Sequence, residues 1–178
     1  MKHYIFIFSA LTASLLGCTT HANEKYIREI VGSKLVINVD RMSIGDGGSS
    51  FFNEMNKQLK IVVYSDSSNC NACNIQFPAW EIRYQELSHK KDNVGLIFII
   101  NTGNIIDMEL SAKAVNAPGL RLYDTQGVFK KDNKISDNVN LHAFLLDKDN
   151  HVILVGNPMT NHQILALYKK AIGMYVEH

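Results

Sequence analysis

The sequence predicts an α/β domain built on a central mixed β-sheet flanked by helices, with a small N-terminal extension. Three observations carry this. Leu59–Ser65 (LKIVVYS) carries Ile61, Val62 and Val63 in a row and Val94–Ile100 (VGLIFII) is a continuous apolar run, the pattern of strands buried on both faces. A helical repeat separates them: Phe77, Trp80, Tyr84 and Leu87 recur at three- and four-residue steps. Two β-rich segments, His142–Asp147 and His151–Val155, flank Lys148-Asp149-Asn150 and read as a hairpin near the C-terminal end. Alternating strands and helices closed by a hairpin give the class.

The remaining elements follow in order. Glu24–Val31 reads as a short helix closed by Gly32, and Lys34–Asp40 as β-rich chain. Gly45–Ser50 is a flexible connection, and Phe51–Asn56 a turn or short helix. The helix after the first strong strand is expected over Asn74–Leu87, with Ile75, Ala79 and Ile82 as a second apolar stripe. Asp107–Val115 suits a helix, Leu120–Tyr123 a short strand, and Gly127–Asn133 a small helix or turn. Thr160 with Gln163 has the form of a capping box before a final helix that aligns Ile164, Tyr168 and Ile172, with Leu165 beside them.

The chain has 178 residues, a length that suits one domain with a proper core. Eighteen Lys and Arg against 17 Asp and Glu leave no basic excess for nucleic acid, so no nucleic-acid partner is expected. The chain has no G-x-x-x-x-G-K-[ST] phosphate cradle, and Gly45-Asp46-Gly47-Gly48 lacks the other carboxylates of an EF-hand loop; no cofactor is expected. Three cysteines, Cys18, Cys70 and Cys73, are too few for a disulfide scaffold or a four-cysteine zinc site.

Lys2 followed by the mostly apolar stretch Tyr4–Gly17 has the form of a secretory signal, too short to span a bilayer. Leu15-Leu16-Gly17-Cys18 resembles the lipobox of bacterial lipoproteins, which implies that Cys18 becomes the lipid-modified first residue. The mature chain then carries no net charge, because residues 1–17 remove Lys2 and no acid. Thr19 after the cysteine, by resemblance to enteric lipoproteins, favours the outer membrane. The expected address is extracytoplasmic, lipid-anchored to a bacterial membrane at its periplasmic face or on the cell surface.

Cys70-Asn71-Ala72-Cys73 lies between a strong strand and a strong helix. Two such cysteines at a helix start can close a disulfide, and the free N–H groups and helix dipole there favour a thiolate. With Pro78 five residues on, Phe144–Asn150 as strand and turn, and Val155-Gly156 ending the return strand, Leu59–Ile172 resembles the thioredoxin superfamily. The resemblance is to TlpA- and ResA-like membrane-tethered thiol–disulfide oxidoreductases. It implies a thioredoxin-like fold, a redox-active pair in which Cys70 attacks and Cys73 resolves, and protein or small-molecule thiols and disulfides as partners. The organisation it implies is 1–17 signal peptide, 18–23 lipidated tether, 24–58 N-terminal extension and 59–178 thioredoxin-like domain.

This chain departs from the family pattern at three places. Asn69 stands where many members carry Trp, Tyr64 replaces a buried acid, and Leu141 falls where the family has a cis-proline. His142 next to it is read as a surface or packing residue, with thiol tuning and metal ligation as alternatives. Asp66 either shapes the loop before Cys70 or assists proton transfer. Trp80 is expected in the core, and His89, His151 and His162 in solvent. Two further readings fit the same residues: a redox-inactive binding module with a structural Cys70–Cys73 disulfide, and a copper chaperone using Cys70, Cys73 and His142.

Overall fold

The computed structural model describes residues 21–45, 51–66, 75–88 and 93–176. Residues 21–30 form helix α1, followed by β1 (Ser43–Ile44), α2 (Phe51–Met55), β2 (Leu59–Ser65) and α3 (Phe77–Ser88). Then come β3 (Val94–Ile100), α4 (Ile105–Ala114), β4 (Leu120–Tyr123), α5 (Val128–Asn133), the hairpin β5 (Ala143–Asp147) and β6 (Val152–Val155), and α6 (His162–Val176). None of these helices is long and apolar enough to cross a membrane.

The strands form one mixed sheet in the order β1-β4-β3-β2-β5-β6. β3 lies parallel to both β2 and β4, whereas β5 runs antiparallel to β2 and closes the hairpin with β6. Every residue of β3 is buried, so it is the apolar run the sequence shows. Its side chains alternate across the sheet, as strand geometry requires. Val94, Leu96, Phe98 and Ile100 join Leu59, Ile61 and Val63 in a core roofed by α3, α4 and α6. Ile97 and Ile99 face the other way, with Val62 and Tyr64, into a second core closed by Ile30, Leu35, Phe129 and Leu141.

Two charged side chains are buried at the N-terminal end of β2 and β3, each on a backbone partner. Lys60 Nζ donates to the Lys148 carbonyl at 2.7 Å, tying β2 to the hairpin turn. Glu54 accepts the Leu96 N–H at 2.8 Å, just before β4 begins to pair at Ile97. Gly119, at φ +72°, turns into β4 with its Cα against β3; a Cβ there would stand 2.3 Å from the Leu96 carbonyl oxygen.

Five expectations are revised. Helix α1 includes residues 21–23, which the sequence assigns to the tether. Lys34–Asp40 is not a strand: only Lys34 makes a bridge, to His151, and Val39–Arg41 is a 3-10 turn. The segment needs no ladder because the Asn133 side chain takes both backbone groups of Val36, accepting its N–H at 2.7 Å and donating to its carbonyl at 3.0 Å. α3 starts at Phe77, after Gln76 at φ +51°, so Pro78 sits in the first turn, where its missing N–H costs nothing. Within α3, Ile82 is solvent-exposed, which leaves one apolar stripe instead of two. The cap of α6 is Asn161, whose Oδ1 accepts from Gln163 and Ile164; Thr160 Oγ1 instead bonds the Asn157 carbonyl.

Candidate functional site

Cys18, Cys70 and Cys73 lie outside the described residues, as do Asn69, His89, the 1–17 leader and most of the Gly45–Ser50 connection. The described residues on either side of the C-x-x-C, Asp66 and Ile75, both line a cleft of about 360 Å³ at the C-terminal end of β2. Parallel-sheet proteins commonly bind ligands at that end of their strands. The cleft is also lined by the end of β2 (Val63 to Ser65), by Trp80 of α3, by residues 139, 140, 142 and 143, and by Asn157 and Thr160 of the turn after β6.

Asp66 is held by a cation. Lys130, from α5, reaches Asp66 at 2.6 Å and Asp137 at 2.8 Å, and these two carboxylates hold the lysine well above its ordinary pKa. Asp66 and Lys130 are 64 residues apart, so no local pattern announces the pair. The reading of Asp66 as a loop-shaping residue has this contact in its favour.

His142 is buried, with 6% of its surface exposed, so it is not a surface residue. Its Nε2–H donates to the Ser136 carbonyl at 2.6 Å and its ring packs edge-on to Tyr64. Burial pushes its pKa below the usual histidine value, with Lys130 adding to the effect and the Ser136 carbonyl and the Asp66 and Asp137 carboxylates opposing it. Tyr64 is buried too, and burial raises its hydroxyl to about 12. A phenol in that state holds its proton at neutral pH. Leu141 is buried in the second core at the end of a 3-10 turn, Val139–Leu141. All described peptide bonds are trans, including those around Leu141. Among the described residues no three His, Cys, Asp or Glu side chains gather as a metal site. Trp80 is buried against Phe98 as expected, and His151 and His162 are exposed.

Residues that sequence reasoning missed are Lys130, Asp137, Ser136, Asn140 and Asn157. Each acts through a contact across loops, and none carries a motif.

No family model matches the chain, and no curated protein matches it in sequence. Solved structures do match in three dimensions. A thioredoxin domain of a thiol-disulfide oxidoreductase from Bacteroides vulgatus superposes with a TM-score of 0.57 at 13% identity, covering 80% of this chain and 97% of that one. The fold is thioredoxin-like. A proposed protein disulfide isomerase from Bacteroides thetaiotaomicron shares this thioredoxin-like fold with a TM-score of 0.59 at 12% identity, over 83% of this chain and 91% of that one. A proposed thiol:disulfide interchange protein DsbE from Chlorobium tepidum gives 0.56 at 16%, over 82% and 97%. The coverage extends the thioredoxin-like fold over most of the chain; at these identities the likeness concerns architecture.

Proposed function

We propose that the chain is a lipid-anchored, extracytoplasmic thiol–disulfide oxidoreductase that works through Cys70 and Cys73. The observation that carries this reading is the cleft at the end of β2, lined by the two described residues that bracket the C-x-x-C. The thioredoxin-like fold supports it, as do neighbours of that fold named for disulfide exchange.

In the reducing direction the Cys70 thiolate attacks one sulfur of a substrate disulfide. A Cys70–substrate disulfide forms, and the displaced sulfur leaves as a thiolate that takes up a proton. Cys73 then attacks the Cys70 sulfur, closing the intramolecular disulfide and releasing the second substrate thiol. Two electrons pass from the pair to the substrate, and an external thiol reductant restores the dithiol. Run backwards, the same steps oxidise a dithiol. Cys18, once lipidated, leaves no third thiol in the mature chain, so exchange involves an outside partner.

Equilibration of the Cys18→Ser chain in redox buffers tests the reading. The pair is expected to titrate between about −120 and −270 mV, the span of active C-x-x-C proteins. A pair still oxidised below about −300 mV is structural and overturns the reading. Exchange unchanged by Cys70→Ser does the same. For the anchor, Cys18→Ser is expected to move the protein from the membrane to the soluble fraction; continued membrane retention removes that part.

A further inference from the structure

We propose that the cleft takes a low-molecular-weight disulfide and does not read a polypeptide through its backbone. This rests on the Cys70–Cys73 reading above and adds the substrate class. An extended peptide binds an enzyme edge by exchanging main-chain hydrogen bonds with unpaired N–H and C=O groups. The described wall that would offer them, Val139–Ala143, has spent most of them within the chain. The Asn140 N–H goes to Asn138 Oδ1 at 3.1 Å, the Leu141 N–H to the Asn138 carbonyl at 2.9 Å, and the His142 N–H to the Val139 carbonyl at 3.2 Å. On the acceptor side, the Asn140 carbonyl takes the Asn157 N–H, the His142 carbonyl the Tyr64 N–H, and the Ala143 carbonyl the Gly156 N–H, each at 2.8 Å. From Val139 to Ala143, every residue therefore has at least one of its two groups committed, so none of them offers an antiparallel strand both its N–H and its carbonyl.

The adjoining Asn157–Thr160 turn and the end of β2 are partly committed in the same way. The Asn157 carbonyl accepts both the N–H and the hydroxyl of Thr160, and the Ser65 carbonyl accepts the Asn101 N–H. What faces a ligand is side chain: Val139, Asn140 and Thr160 are exposed along the cleft. A cleft of about 360 Å³ matches small-molecule sites. Lys130 is held between Asp66 at 2.6 Å and Asp137 at 2.8 Å, so this cation does not call for an anionic substrate.

The test uses the full chain carrying Cys18→Ser, pre-reduced, with acid-quenched oxidised protein, as mixed disulfide or as the Cys70–Cys73 disulfide, counted over time by mass spectrometry. Three oxidants are compared: 2-hydroxyethyl disulfide, a cysteine peptide in mixed disulfide with 2-mercaptoethanol, and the same peptide N-methylated on its backbone either side of the cysteine. The peptide is expected to react within about threefold of the small disulfide, and N-methylation to change its rate less than about twofold. A peptide faster by more than about tenfold, with the gain lost on N-methylation, shows backbone reading and overturns the proposal. No exchange with any of the three, or the same exchange by Cys70→Ser, overturns the oxidoreductase reading itself, a result distinct from a peptide preference.

Discussion

His142 donates its Nε2 proton to a carbonyl six residues upstream, which sets the tautomer and leaves Nδ1 as the bare nitrogen. Protonating it would place a cation in a buried site beside Lys130, and its folded pKa accordingly lies below the ordinary value. The unfolded chain then binds the proton first. Stability is complete above the unfolded value of about 6.5 and falls as pH drops through the lower folded value. His142→Gln keeps a donor for Ser136 and removes the ionisation. Urea unfolding between about pH 7 and pH 5 is expected to show a shallower loss for this variant than for the parent; equal slopes count against it. The sequence singles out His142 beside the position where the family resemblance expects a cis-proline, yet it does not reveal the burial. That depends on Ser136 and Tyr64, contributed by a loop and by another strand. The same holds for Asp66, whose cation comes from α5 far along the chain.

At the scale of elements, β2, β3 and β4 were legible to the residue because short β-rich segments between turn residues and helical repeats have little alternative, and β3 is apolar throughout. Lys34–Asp40 was not, because β-propensity reports fit to a pleated surface and says nothing of whether a partner strand exists. There a side chain stands in for the partner. Asn133 is buried, and besides holding Val36 its Nδ2 donates to the Phe129 carbonyl at 2.9 Å. Asn133→Ala strands those groups and is expected to cost about 2–3 kcal/mol, against about 1 kcal/mol for the exposed helix cap Asn161→Ala. Urea midpoints of the two variants give the comparison, and an equal shift would deny Asn133 its special place. The capping box at Thr160 failed for a simple reason: the next residue is also a capping type, and the chain uses Asn161.

For the molecule as a whole, the segment that the sequence sets apart as an N-terminal extension is one wall of a core. Ile30 and Leu35 are buried in it, and Tyr26, Ile27, Val39 and Met42 pack against it. Gly32, at φ +83°, turns the chain out of α1 and donates its N–H to the Val152 carbonyl on the hairpin. The segment thus joins both ends of the sheet, since β1 pairs with β4 at the other edge. Leu35, with 1% of its surface exposed, is expected to cost about 2–5 kcal/mol as Leu35→Ala. A chain starting at residue 46 is expected to lose its cooperative transition in thermal unfolding; a retained transition would return the segment to the status of an appendage. The fold class was readable because it needs only the order and burial of elements. The attachment of this segment was not, because it is made by single residues at wide separations.

Trp80 is the chain's one tryptophan, and it is both buried against Phe98 and part of the cleft lining. Its indole therefore views two places at once: the middle of the protein and the spot where a ligand would arrive. Emission excited at the tryptophan band carries no background from a second indole. The protein comes with its own optical probe, through which events in the cleft can be followed in stopped flow without a label.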